Sequence, residues 1–154
     1  MISKSAGFII LVSLSSQSFA FQCYLTLVKD TCWKNYEVNV NVLDSNNNDK
    51  VLTTVVVAKD KTWARQPFDC NPGMKLMYSA TFKPVFWQSE VGKSYAAFKY
   101  WTLPNKIGAD ESAWDIPVCF ASAFSAVPFP PDALGNCKCN FFDIPSVPPS
   151  VPKK

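Results

Sequence analysis

Between Tyr36 and Val42 apolar and polar residues alternate without a break. Tyr36, Val38, Val40 and Val42 fall on one face, and Glu37, Asn39 and Asn41 on the other. A period of two belongs to a half-buried antiparallel strand. Leu76, Tyr78, Ala80 and Phe82 repeat the pattern opposite Met77, Ser79, Thr81 and Lys83, and Pro84 then closes that strand or sets it at an edge. Val51–Ala58 is apolar and β-branched on both faces, which predicts a strand in the middle of a sheet. Cys23–Val28 and Tyr95–Leu103 read as further strands, and Thr62–Phe68 and Trp114–Phe120 as weaker ones.

Turn chemistry separates these runs at Asp44–Asp49, Cys70–Gly73, Val91-Gly92 and Leu103–Asn105. No segment holds a sustained helical repeat; Phe120–Ala126 has room for one turn or two. Seven or eight short strands at this spacing predict an all-β fold: a disulfide-stabilised antiparallel β-sandwich, with a small β-barrel as the alternative. A Pro-rich C-terminal segment follows, in which Pro128–Pro131 and Pro145–Pro152 favour extended polyproline geometry over a sheet.

The start of the chain sets the expected compartment. Lys4 precedes a short apolar run, Gly7–Leu14, and Ser18-Phe19-Ala20 places small residues at the −3 and −1 positions of a cleavage site. That order of charge, apolar core and small-residue exit reads as a secretory signal peptide over residues 1–20. The run is far shorter than the ~20 residues that span a bilayer. Gln22, which precedes Cys23, is too large for lipoprotein processing. The expected layout is a cleaved segment 1–20, a single β domain 21–144 and a flexible tail 145–154. No transmembrane span is expected in the mature chain.

Of 15 basic and 12 acidic residues only Lys4 lies in the first twenty, so the mature chain carries a net charge of about +2. It has no basic stripe, and nucleic-acid binding is therefore not expected. All six cysteines, Cys23, Cys32, Cys70, Cys119, Cys137 and Cys139, lie beyond residue 20. An even count in an exported chain reads as three disulfides, with 15 pairings open. Cys137-Lys138-Cys139 is the ambiguous feature: a metal clip, a redox pair, or the ends of two bridges. Alternation in an extended segment points both sulfurs one way with Lys138 opposite, so we read them as members of two separate structural disulfides.

The chain contains no histidine. That removes Ser-His and Cys-His nucleophiles, imidazole acid–base catalysis and His-containing zinc sites. Asp110, Glu111 and Asp115 cluster beside Trp114, as a carboxylate-pair hydrolase would require, but they read as loop residues. Asp44–Asp49 begins like a calcium loop. It has Asp49 where glycine belongs and Val55 where the bidentate glutamate belongs, and so reads as a hairpin connection. No cofactor and no metal is expected.

Abundant aromatics are the one positive hint. Trp87, Trp101 and Trp114 lie at strand ends or loops, where a flat ring can stack on a sugar or anchor an interface. The expected function is a non-catalytic exported protein, periplasmic or secreted from a bacterium, that works through contacts with an envelope or extracellular protein. It would be an accessory part of a larger envelope assembly. The alternatives are a glycan-binding module using those tryptophans and a secreted hydrolase inhibitor presenting Pro128–Asp132.

Overall fold

The computed structural model describes residues 21–148; the expected signal peptide (1–20) and the last part of the expected tail (149–154) lie outside the described residues. The strands are β1 (Phe21–Lys29), β2 (Glu37–Asp44), β3 (Lys50–Val57), β4 (Trp63–Cys70), β5 (Lys75–Lys83), β6 (Tyr95–Ala96), β7 (Trp101–Thr102) and β8 (Ala113–Phe120). They form two sheets. One has the order β4-β1-β8; the other has β3-β2-β5-β6, with β7 also paired to β5.

The alternation seen in the sequence decides which face each strand buries. In β2, Val38, Val40 and Val42 are wholly buried, and in β5 so are Leu76, Tyr78 and Ala80. Leu25 and Leu27 of β1 and Ile116, Val118 and Phe120 of β8 meet them from the opposite sheet, giving one core between two layers. Cys23 and Cys70, on adjacent strands, face the same core and are bonded to each other. The result is a disulfide-stabilised β-sandwich. Its pairing is antiparallel except between β1 and β8, which run parallel. Parallel neighbours need a long connection, and here it contains the whole second sheet and β4.

Two strands differ from expectation. Val51–Ala58 lies at the edge of its sheet as β3, paired among the described residues only with β2. Val55 and Val57 face the core, whereas Val56 is exposed; its β-branch suits a pleated surface without requiring a second buried face. Tyr95–Leu103 is broken into β6 and β7. Tyr95 and Ala96 pair with Ala80 and Ser79, and Trp101 with Leu76; Ala97 still donates to the Tyr78 carbonyl while bridging to Phe124, and Phe98–Tyr100 bulge out of the ladder.

The connection Asp44–Asp49 is a polar hairpin turn. Asp44 accepts from the Asn46 and Asn47 amides, and Asn48 and Asp49 take positive φ. After β8 the chain turns once, with the Ala123 N–H donating to the Cys119 carbonyl, and then runs as an extended strap. Among the described residues no helix is long and apolar enough to cross a membrane. Three disulfides mark a chain that folds in an oxidising compartment.

Candidate functional site

The end of the sandwich where β1, β5 and β8 finish is built from rings. Trp33, in the 3₁₀ turn Thr31–Trp33, packs edge-on against Phe82 and Phe120, each at 4.7 Å. Tyr36 and Phe86 extend the cluster. The strap from Ala121 to Asn140 crosses this end, and its anchors are numerous. Cys137 is bonded to Cys32 and Cys139 to Cys119, so the two neighbouring cysteines serve separate bridges. Asp132 accepts from Asn35 Nδ2 and from the Tyr36 hydroxyl, each at 2.8 Å. The Asn35 bond and then the Tyr36 bond hold the Asp132 carboxyl below its ordinary range. Burial, reinforced by Asp132, pushes the Tyr36 phenol up to about 12.

Asp30 sits beneath the strap. Its carboxylate accepts from the Cys32 amide at 2.9 Å and the Ala121 amide at 3.1 Å. Burial raises its pKa, and the two amides only partly offset that. The carboxylate and the sulfurs of Cys32 and Cys137 lie within 4.8 Å of one another, a spacing that could suit a metal. Those sulfurs are bonded to each other, so neither offers the thiolate a metal would take. Lys29, also buried, spends its ammonium on the carbonyls of Tyr36 (2.7 Å), Ala58 (3.1 Å) and Lys34 (3.5 Å). Desolvation lowers its pKa.

Two rings stand out from this anchored surface. Phe98 is 68 % exposed and Phe129 75 % exposed, and both line a groove of about 300 Å³ with Phe124, Ala126, Val127 and Pro128. Phe98 is placed by its N–H, which donates to the Ala123 carbonyl at 3.0 Å, and by the Ala97–Phe124 bridge. Phe129 is held between Pro128 and Pro130, whose fixed φ limits the backbone. Phe98 is not among the residues singled out from the sequence, whereas Phe129 lies in the loop Pro128–Asp132 expected of an inhibitor. The signal was present in both cases: Phe98 breaks the alternation after Tyr95, and Phe129 is a large ring enclosed by prolines.

The three tryptophans singled out from the sequence are not brought together. Trp114 is buried at 9 % exposure, packs edge-on against Phe21 at 4.7 Å, and donates its indole N–H to Glu111. It belongs to the inner face of β8 with Ile116 and Val118 and offers little surface to a partner. Trp87 is half exposed near the Phe82 end of β5, and Trp101 pairs with Leu76 at the other end. Six residues of strand, about 20 Å, separate those ends.

Trp101 lines a different groove, of about 500 Å³, on the outer face of the β4-β1-β8 sheet with Thr26, Arg65, Asp115 and Phe141. The Thr26 hydroxyl donates to Asp115 and accepts from Arg65 Nε at 2.8 Å. Arg65 also donates to the Pro145 carbonyl at 2.9 Å and the Ser146 carbonyl at 3.5 Å, binding the first residues of the Pro-rich segment to the sheet. Asp115 and Glu111 are therefore engaged with other protein groups, and Asp110 is exposed. No protein family, no curated protein and no solved structure matches this chain.

Proposed function

We propose that this chain is an exported, non-catalytic protein that presents the Phe98–Phe129 face to a protein partner in the cell envelope or outside the cell. One observation carries the reading: two phenylalanine rings, 68 % and 75 % exposed, share an apolar groove between the β6–β7 segment and a strap held by two disulfides. Exposed rings that serve nothing within the fold are costly to solubility, and fixing them in advance lowers the entropy lost when a partner covers them. The hydrolase-inhibitor alternative uses the same loop, Pro128–Asp132, with an enzyme as the partner.

A photo-reactive amino acid placed at Phe98 or Phe129 tests the proposal in intact cells. The expected result is one defined protein adduct from both positions and none from Thr81, which is exposed on the outer face of the five-stranded sheet. Equal labelling from Thr81, or no protein adduct, would sink the idea. Adducts to polysaccharide alone would favour the glycan-binding alternative, which Trp101 beside Asp115 in the larger groove supports.

A further inference from the structure

A sheet edge exposes a row of unpaired amides and carbonyls, and folded proteins usually block it. Most edges here are blocked. The three-stranded sheet ends on β4 and β8, and each carries an exposed proline, Pro67 and Pro117, which has no N–H to offer an incoming strand. The far side of the five-stranded sheet is closed by two-residue strands and by Ser125, whose N–H donates to the Ala96 carbonyl at 2.8 Å. β3 is the exception. It is eight residues long and proline-free, and among the described residues β2 is the only strand hydrogen-bonded to it, with β4 of the other sheet packed close by. One bulge opposite Val42 and Leu43 interrupts it and leaves Thr53–Val57 in regular register.

We infer that β3 pairs antiparallel with the β3 strand of a second copy of this chain, joining the two five-stranded sheets across a two-fold axis. The strand is self-complementary. Val51–Val57 carries no charge, so self-pairing sets only Val, Leu and Thr against Val, Leu and Thr. Its flanks carry both signs: Asp49 and Lys50 at one end, and Lys59, Asp60 and Lys61 at the other. Antiparallel pairing brings the Asp49 end of one copy to the lysine end of its partner, where like charges do not face each other in a block. Val56, 42 % exposed beside buried Val55 and Val57, gains an apolar cross-strand neighbour. A single strand pair covers well under the roughly 800 Å² per partner of a stable complex, so the dimer is weak, dissociating between about 10 μM and 1 mM.

Sedimentation equilibrium on the disulfide-bonded protein across about 10 μM to 1 mM tests this, with amide exchange measured at the two extremes. The expected result is a mass rising toward twice that of the monomer, with exchange at Val51–Val57 slowing as concentration increases. Val56→Lys, on the outer face, should weaken association about tenfold by placing like charges across the axis. Phe129→Ser should leave it unchanged. A monomer at every concentration overturns the inference. Association that survives Val56→Lys but is lost in Phe129→Ser overturns it too, because the apolar groove would then be the contact. The exchange measurement uses the unmodified chain and stands if the lysine variant does not fold.

Discussion

Asp30 and Ala121 are 91 residues apart in the chain and are joined by a 3.1 Å hydrogen bond from the Ala121 N–H to the Asp30 carboxylate. The Asp30 N–H in turn donates to the Phe120 carbonyl at 2.7 Å. This exchange closes the parallel β1–β8 pair where both strands end, and the second carboxylate oxygen caps the 3₁₀ turn that carries Cys32. One buried acid therefore sets the positions from which the strap and two disulfides depart.

Asp30→Ala should accordingly be among the more damaging single substitutions. It leaves the buried Cys32 amide and the part-buried Ala121 amide without acceptors, at about 1–3 kcal/mol each, so a loss of about 2–6 kcal/mol is expected. Denaturant unfolding with all disulfides intact measures it. A change within about 0.5 kcal/mol, the scale of ordinary surface substitutions, would show that water replaces the carboxylate and that the clamp is not structural.

The buried phenols predict an alkaline limit to the fold. Tyr36 and Tyr95 are both pushed up to about 12, chiefly by burial and then by bonds to Asp132 and Glu90, and burial also raises Tyr78. Each binds its proton more tightly folded than unfolded. Their contribution is therefore whole below the ordinary value of 10.0 and is lost as pH rises toward about 12. Phenolate absorbance should show Tyr36 and Tyr95 ionising together with unfolding. Their ionisation near 10 in a protein that keeps its near-ultraviolet dichroism would contradict the burial described.

The bridges make a prediction about connectivity and another about rank. Trypsin cleaves after Lys138 and a protease specific for aspartate cleaves before Asp115 and Asp132, which separates Cys119, Cys137 and Cys139. Non-reducing maps should then yield Cys23–Cys70, Cys32–Cys137 and Cys119–Cys139. A peptide joining Cys137 directly to Cys139 would refute the double anchor. Because Cys32 and Cys137 are 105 residues apart and Cys119 and Cys139 only 20, removing the first pair should cost more. The chain-entropy estimate is about 4–5 kcal/mol against about 3.

Much of the fold could be read from the sequence because period two is a strong signal wherever one face is buried, as in Tyr36–Val42 and Leu76–Phe82. β3 was legible as a strand but not as an edge. Valine reports fitness for a pleated surface, and Val56 fits one while exposed. The site was less legible, since exposure of a ring depends on chain crossings that local pattern does not encode. Trp114 looked like a loop residue beside acids, yet it occupies the inner face of β8. Phe98 fell within an expected strand and Phe129 within a Pro-rich loop; both project from the surface because a bulge and a proline-bounded strap carry them outward.

The tryptophans give the sharpest separation between a core role and a surface role. Trp114→Ala removes a ring that packs on Phe21 within the core, and such truncations cost about 3–5 kcal/mol. Trp87, 49 % exposed at the tip of the loop after β5, should cost under about 1 kcal/mol on the same change. Fluorescence quenching by iodide divides them independently. The ion should reach Trp87 freely and Trp63 and Trp101 in part, while Trp33 at 2 % and Trp114 at 9 % exposure stay shielded. Removing Trp87 should therefore abolish most of the quenchable signal, and removing Trp114 should leave it in place. If instead the Trp114 variant keeps full stability and loses the quenchable fraction, that indole lies in solvent, and the inner face of β8 is not as described.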